Sequence, residues 1–168
     1  NWETGGTTYL QGSVISIGYN DLIAGKKNFE LIVEPDERSS VTQISNTKNV
    51  LLVNMLNNVK SELYKYTFNK GWKREKLSAP ELGNITLSAT DENSDNFFFY
   101  FTNFLEPSTL YNGNASTGDI KKVKSLPSFF PTEKYMVQQF EAVSKDGTKI
   151  PYFVVSSKEM KYNGHNPT

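Results

Sequence analysis

Cysteine is absent from the 168 residues, which excludes disulfides, thiolate nucleophiles and sulfur-ligated metal sites. The same absence leaves the redox compartment open, because oxidising and reducing environments both tolerate it. No charge of either sign predominates: Lys and Arg number 18, as do Asp and Glu, and the basic run Lys121, Lys122, Lys124 is short. The electrostatic footprint of a nucleic-acid binder is therefore missing. Long hydrophobic runs are lacking too. The longest is "FFFYF" (Phe97 to Phe101), far short of the roughly 20 residues of a spanning helix, so a soluble chain without a membrane partner is expected, cytoplasmic or periplasmic. It begins at Asn1 rather than Met, which leaves room for a trimmed targeting peptide.

What is present is a succession of short apolar bursts rich in β-branched and aromatic residues: "SVISI", "FELIV", "NVLLVNM", "ELYKYTF", "NITLSAT", "NFFFYF", "YMVQQFEAV" and "KIPYFVV". Gly, Asn, Asp and Ser clusters separate them, the pattern of many strands joined by tight turns. An all-β chain is expected. Only "YNDLIAG" (Tyr19 to Gly25) has helix character, with Asn20 or Asp21 as cap and Gly25 as stop.

A faint repeat orders the strands. Asn49 and Asn96, Leu63-Tyr64 and Leu110-Tyr111, and Gly71 and Gly118 each stand 47 apart, while Ile44-Ser45 and Leu87-Ser88 stand 43 apart. A period in the 40s with four strands per unit is the signature of β-propeller blades, which bury their faces only by stacking. One blade is expected at 39–77 and another at 84–123, with the end of a preceding blade before Ser39. Two blades do not close a ring. After Val123, Pro127 and Pro131 mark a linker, and a long strand follows from Tyr135 to Val143. Asp146-Gly147 then predicts a hairpin turn with positive φ at both positions, and Pro151 suits an edge strand.

Candidate sites are sparse. Ser144, Lys145 and Asp146 are adjacent, but neighbours on a strand point to opposite faces and do not converge on one atom, and no G-x-S-x-G elbow occurs. In "DENSDN", Asp91, Asn93 and Asp95 alternate like half a calcium loop. Asn96 replaces the required glycine and Thr102 the required glutamate, so a solvated hairpin tip is expected. His165, the sole histidine, lies in a polar tail without a partner for zinc. Asn84-Ile-Thr86 and Asn114-Ala-Ser116 match the glycosylation sequon, a short pattern that carries nothing without a secretory context. The aromatic burst Phe97 to Phe101 suits inter-blade packing better than a ligand pocket. No catalytic residue, cofactor or metal is expected from these patterns.

The run "SLPSFF…VQQFEAVSKDGTKIPYFVV…YNGHNPT" resembles the junction between propeller and hydrolase domain in the prolyl oligopeptidase family of serine peptidases, especially its bacterial members. "NWETGGTTYLQGSVISI", "FELIVEPDERSS", "LSAPELGNITL" and "FTNFLEPSTLY" are similar to successive segments of the last third of that propeller. The resemblance implies an α/β-hydrolase domain capped by a seven-bladed propeller that gates entry, with short peptides hydrolysed after proline by a Ser-Asp-His triad. It makes 1–123 a partial propeller and 124–168 a linker with the first hairpin of the hydrolase domain. It also puts the oxyanion-hole tyrosine and the triad beyond Thr168, so that the chain alone is inactive. The implied partners are the peptide substrate, the remaining propeller and hydrolase domain, and further copies of the chain at unpaired blade edges. Two alternatives stand beside this: a propeller-type binding module without a hydrolase, and a related oligopeptidase preferring basic residues.

Overall fold

Period-two alternation of apolar and polar residues forces strands that bury one face, and tight turns make each strand pair with its sequence neighbour. The computed structural model describes residues 1–161 and 163–166; Tyr162, Pro167 and Thr168, in the tail of the junction-like run, lie outside the described residues. The strands β1 (Trp2–Thr4) and β2 (Thr7–Tyr9) form one hairpin, and β3 (Val14–Ser16) pairs with β4 (Glu30–Val33). Two four-stranded antiparallel sheets follow. The first runs β5 (Ser39–Asn46), β6 (Leu51–Asn57), β7 (Lys60–Phe68), β8 (Trp72–Lys76). The second runs β9 (Asn84–Thr90), β10 (Asn96–Thr102), β11 (Thr109–Asn114), β12 (Ile120–Ser125). A 3₁₀ turn, Thr132–Lys134, leads into the long hairpin β13 (Tyr135–Val143) and β14 (Lys149–Ser157).

Both faces of the first sheet are covered. Val53, Met55, Tyr64 and Tyr66 pack with Val33 and Val14 of the β3–β4 hairpin, where Trp72 Nε1 also donates to Ser16 Oγ at 2.9 Å. Leu52 and Leu63 on the other face pack against Ile85, Leu87, Phe97, Phe99 and Phe101 of the second sheet. Sheets stacked face to face in this way, each a meander of four consecutive strands, have propeller-blade architecture.

Four details differ from the expectations. The stacking equates Leu51, Val53 and Met55 with Phe97, Phe99 and Phe101, a spacing of 46 rather than the 47 of Asn49 and Asn96. A slip of one residue reverses the face of every side chain, so only the face assignment fixes the register. Tyr64 and Tyr111 keep the spacing of 47 and point toward the preceding sheet in both cases.

The short helix α1 (Tyr19–Ile23) is capped by Gly18 without a side-chain bond, not by Asn20 or Asp21. Asp21 instead accepts hydrogen bonds from Lys26 Nζ and Asn28 Nδ2, both at 2.9 Å, and these fasten the loop behind the helix. Gly25, at φ 68°, ends the helix as expected.

The turn between β13 and β14 has positive φ at Gly147 alone, 86°. Ser144 carbonyl accepts from Gly147 N–H at 3.0 Å and Thr148 carbonyl from Ser144 N–H at 2.9 Å. This is a three-residue loop closed by a glycine bulge, because a side-chain bond at Asp146 favours the ordinary turn over the mirror-image one. The fourth difference concerns Asp95 and belongs to the site below.

Candidate functional site

The residues singled out in the sequence do not converge on one reacting centre, although some of them bond one another. Ser144 Oγ donates to the Asp146 carboxylate, which also accepts from Thr148 N–H at 3.0 Å. The Ser144 and Thr148 bonds hold the Asp146 pKa down at about 2. An ionised acceptor bonded to its own turn is a loop-stabilising group, and an acid of that strength is a poor general base near neutral pH. His165 lies in the exposed tail, where its N–H donates to Asn163 Oδ1 at 3.1 Å. It lines a cleft of about 740 Å³ together with Tyr135, Ser156 and Lys161. Among the described residues no group of three His, Asp or Glu side chains is placed to hold a metal ion.

Asp91 and Asp95 part company. Asp91 accepts from Asn93 N–H at 2.8 Å and Ser94 Oγ at 2.7 Å within its own turn. Asp95 is only 9% exposed, not at a solvated tip, and it faces the other sheet. Its carboxylate accepts from Thr47 Oγ1 at 2.8 Å, Asn49 N–H at 2.8 Å, Asn49 Nδ2 at 2.9 Å, and the Ser116 hydroxyl. Burial acts to raise its pKa, but the bonds from Ser116, Asn49 and Thr47 outweigh it and hold the group well below the ordinary carboxylate range. Lys65 Nζ donates to Ser116 carbonyl at 3.3 Å, so one turn of the second sheet is tied to two segments of the first.

A second inter-sheet contact uses amides. Gln43 on β5 accepts from Leu87 N–H at 2.8 Å and donates to Leu87 carbonyl at 3.3 Å, imitating a strand residue at the free edge of β9. Asn54 Nδ2 adds a bond to Ile85 carbonyl at 2.8 Å. The sequence reading missed both clusters. The one available signal was Asn54 itself, a polar residue in the apolar run "LLVNML".

The sequon side chains are likewise occupied within the sheets. Asn84 bonds Ser61 and Thr86, and Asn114 accepts from Ser116 and Thr117 N–H while donating to Asn96. Of the aromatic burst, Phe97, Phe99 and Phe101 are buried between the sheets, whereas Phe98 and Tyr100 are 38% and 44% exposed on the far face. Glu62 forms a further titratable cluster. Burial works to raise its pKa, but bonds from Tyr64, Lys76 and Asn57 bring it down to about 2. This cluster, too, sits within a sheet rather than in a cleft.

The geometry is that of a stacked scaffold, and comparison with known proteins agrees. Residues 6–126 match the family described as prolyl oligopeptidase, N-terminal beta-propeller domain. An uncharacterised peptidase of Sinorhizobium fredii is 40% identical over 97% of this chain and 23% of its own length. The prolyl endopeptidase of Elizabethkingia meningoseptica is 30% identical over 55% of this chain and 13% of its own. The solved structure of a post-proline cleaving enzyme from Rickettsia typhi superposes with a TM-score of 0.73 at 29% identity, covering 99% of this chain and 25% of that one. The chain thus spans about a quarter of the length of these full-coverage relatives. The stacked four-stranded sheets and the match over 6–126 together establish that the chain belongs to the prolyl oligopeptidase family, with residues 6–126 in its β-propeller domain.

Proposed function

We propose that this chain is the gating propeller portion, with the first hydrolase strands, of a serine peptidase that cleaves short peptides after proline. The observation that carries the reading is that likeness to a post-proline cleaving enzyme extends over 99% of the chain, beyond the matched propeller and through the β13–β14 hairpin. In this reading 1–123 is propeller and 124–168 is linker and first hydrolase strands. The stacked sheets form part of the wall that excludes folded proteins, and the acyl-transfer triad stands elsewhere in the longer protein. The peptide substrate, the remaining propeller and the hydrolase domain are its partners.

The test is hydrolysis of a chromogenic Gly-Pro peptide by the full-length protein, with the 168-residue chain as control. Cleavage after proline by the former and none by the latter is expected. Turnover by the isolated chain that a serine-directed inhibitor abolishes would overturn the division of labour, and an inert full-length protein would overturn the activity.

A further inference from the structure

The tripeptide Tyr-Asn-Gly occurs twice in the chain, as Tyr111-Asn112-Gly113 and as Tyr162-Asn163-Gly164. An asparagine followed by glycine is prone to deamidation, because glycine has no Cβ to shield its backbone nitrogen and its φ and ψ turn freely. The reaction needs that nitrogen to reach the Cγ of the asparagine. The immediate neighbours are the same at both sites, so the surrounding fold decides which of them reacts.

Asn112 and Gly113 lie in β11, between β10 and β12, with Gly113 opposite Phe97 on one side and Ile120 on the other. The Phe97 ring is packed so closely on Gly113 that a Cβ there would collide with it. Asn112 Nδ2 donates to Phe97 carbonyl at 3.2 Å. Bringing the Gly113 nitrogen to the Asn112 Cγ would take the peptide out of extended geometry and break the ladder. Asn163 and Gly164 are held by no ladder. Both are exposed in a bend of the tail, with Gly164 at φ 77°. Asn163 Oδ1 accepts from His165 N–H at 3.1 Å, and this Asx turn folds the carboxamide back over the Gly164 peptide and polarises its carbonyl.

We propose that Asn163 is a site of spontaneous deamidation and isomerisation, and that the second sheet withholds the same chemistry from Asn112. The Gly164 nitrogen bonds to Asn163 Cγ, and the Cγ–Nδ2 bond breaks. Nδ2 leaves as ammonia, carrying the proton given up by the Gly164 N–H. Water then opens the cyclic imide at one carbonyl to give aspartate, or at the other to give isoaspartate, so that the net change is water in and ammonia out. The product adds a negative charge to a chain whose formal net charge is zero. Isoaspartate also lengthens the main chain by one methylene. Both changes fall in a loop where Asn163 N–H and Asn166 Nδ2 donate to Lys161 carbonyl, at 2.9 and 2.6 Å, beside the cleft lined by Tyr135 and Ser156. The proposal goes beyond the peptidase reading, and an inert full-length protein leaves it standing.

The experiment is incubation of the 168-residue chain in warm, mildly alkaline buffer, followed by tryptic digestion and fragment-ion mass spectrometry. Cleavage after Lys161 releases Asn163 in the tail peptide, and cleavage after Lys76 and Lys121 places Asn112 in another. The tail peptide should gain about 1 Da and resolve into aspartate and isoaspartate forms. Asn163 should react about tenfold faster than Asn112 or more, since Asn112 must wait for an opening of the sheet. In urea, where the ladder is gone, the two rates should converge to within about threefold. Gly164→Ala should slow the reaction at Asn163 severalfold by shielding the nitrogen. An unmodified Asn163, or equal rates at the two sites in the folded chain, would overturn the proposal. An Asn112 as slow in urea as in buffer would overturn the protective role of the sheet, and a Gly164→Ala chain that reacts at the original rate would overturn the route through the Gly164 nitrogen.

Discussion

Asp95 gives up hydration for four hydrogen bonds, three of them from the neighbouring sheet. Removing the carboxylate strands buried donors as well as the lost attraction. Asp95→Ala should therefore destabilise the chain by about 3 kcal/mol in urea unfolding, well above the cost of a surface substitution. The pH dependence follows from the lowered folded-state pKa. The contribution of Asp95 is complete above the unfolded value of 3.8 and is lost as pH falls below it toward the folded value. The acid limb of a stability-against-pH curve should accordingly flatten in Asp95→Ala, and an unchanged limb would show that other carboxylates govern it. This role was not legible in "DENSDN": the motif reads as a local turn, which is true of Asp91, but the partners of Asp95 lie 46 and 48 residues upstream. Only the stacking of two blades brings Asn49 and Thr47 to it.

At the scale of elements, strands were the legible part because their alternation is set locally, and "YMVQQFEAV" reads as the strand Tyr135–Val143 that forms. Turns were less so. The β6–β7 connection carries Asn58 and Val59 at positive φ, where asparagine followed by glycine is the favoured pair. Valine reads as a strand residue, so the Asn57-Asn58 pair in "NMLNNVKSEL" marks a turn between two strands but not that Val59 takes part in it. Val59 is 51% exposed and contributes little packing to offset its strain. Val59→Gly should consequently stabilise the chain by about 1 kcal/mol, seen as a higher thermal midpoint. A lower midpoint would mean that the side chain packs more than its exposure implies. The register of β6 against β10 was illegible for a related reason: Asn49 and Asn96 match as letters, but core packing aligns Leu51 with Phe97.

At the scale of the whole molecule, the two sheets treat equivalent faces differently. Leu52 and Asn54, 46 residues before Phe98 and Tyr100, are 0% and 1% exposed against the second sheet, whereas Phe98 and Tyr100 remain 38% and 44% exposed. The second sheet thus presents, in water, the face that the first sheet buries. Its outer strand β12 carries Lys121, Lys122 and Lys124, and lysines on an edge strand oppose strand addition there. Association is therefore expected through the aromatic face rather than through the outer edge. In the longer protein proposed above, another blade is expected to cover that face; for the 168-residue chain, a second copy is the expected occupant. Sedimentation velocity should show self-association that rises with concentration, and Phe98→Lys with Tyr100→Lys should suppress it, because two buried cations at a sheet-to-sheet contact oppose desolvation. The same pair of substitutions should leave urea stability nearly unchanged, since neither side chain lies in the buried clusters between the sheets. A monomeric mass at all concentrations would mean that this face, though apolar and blade-like, needs a partner of different shape from anything the chain itself supplies.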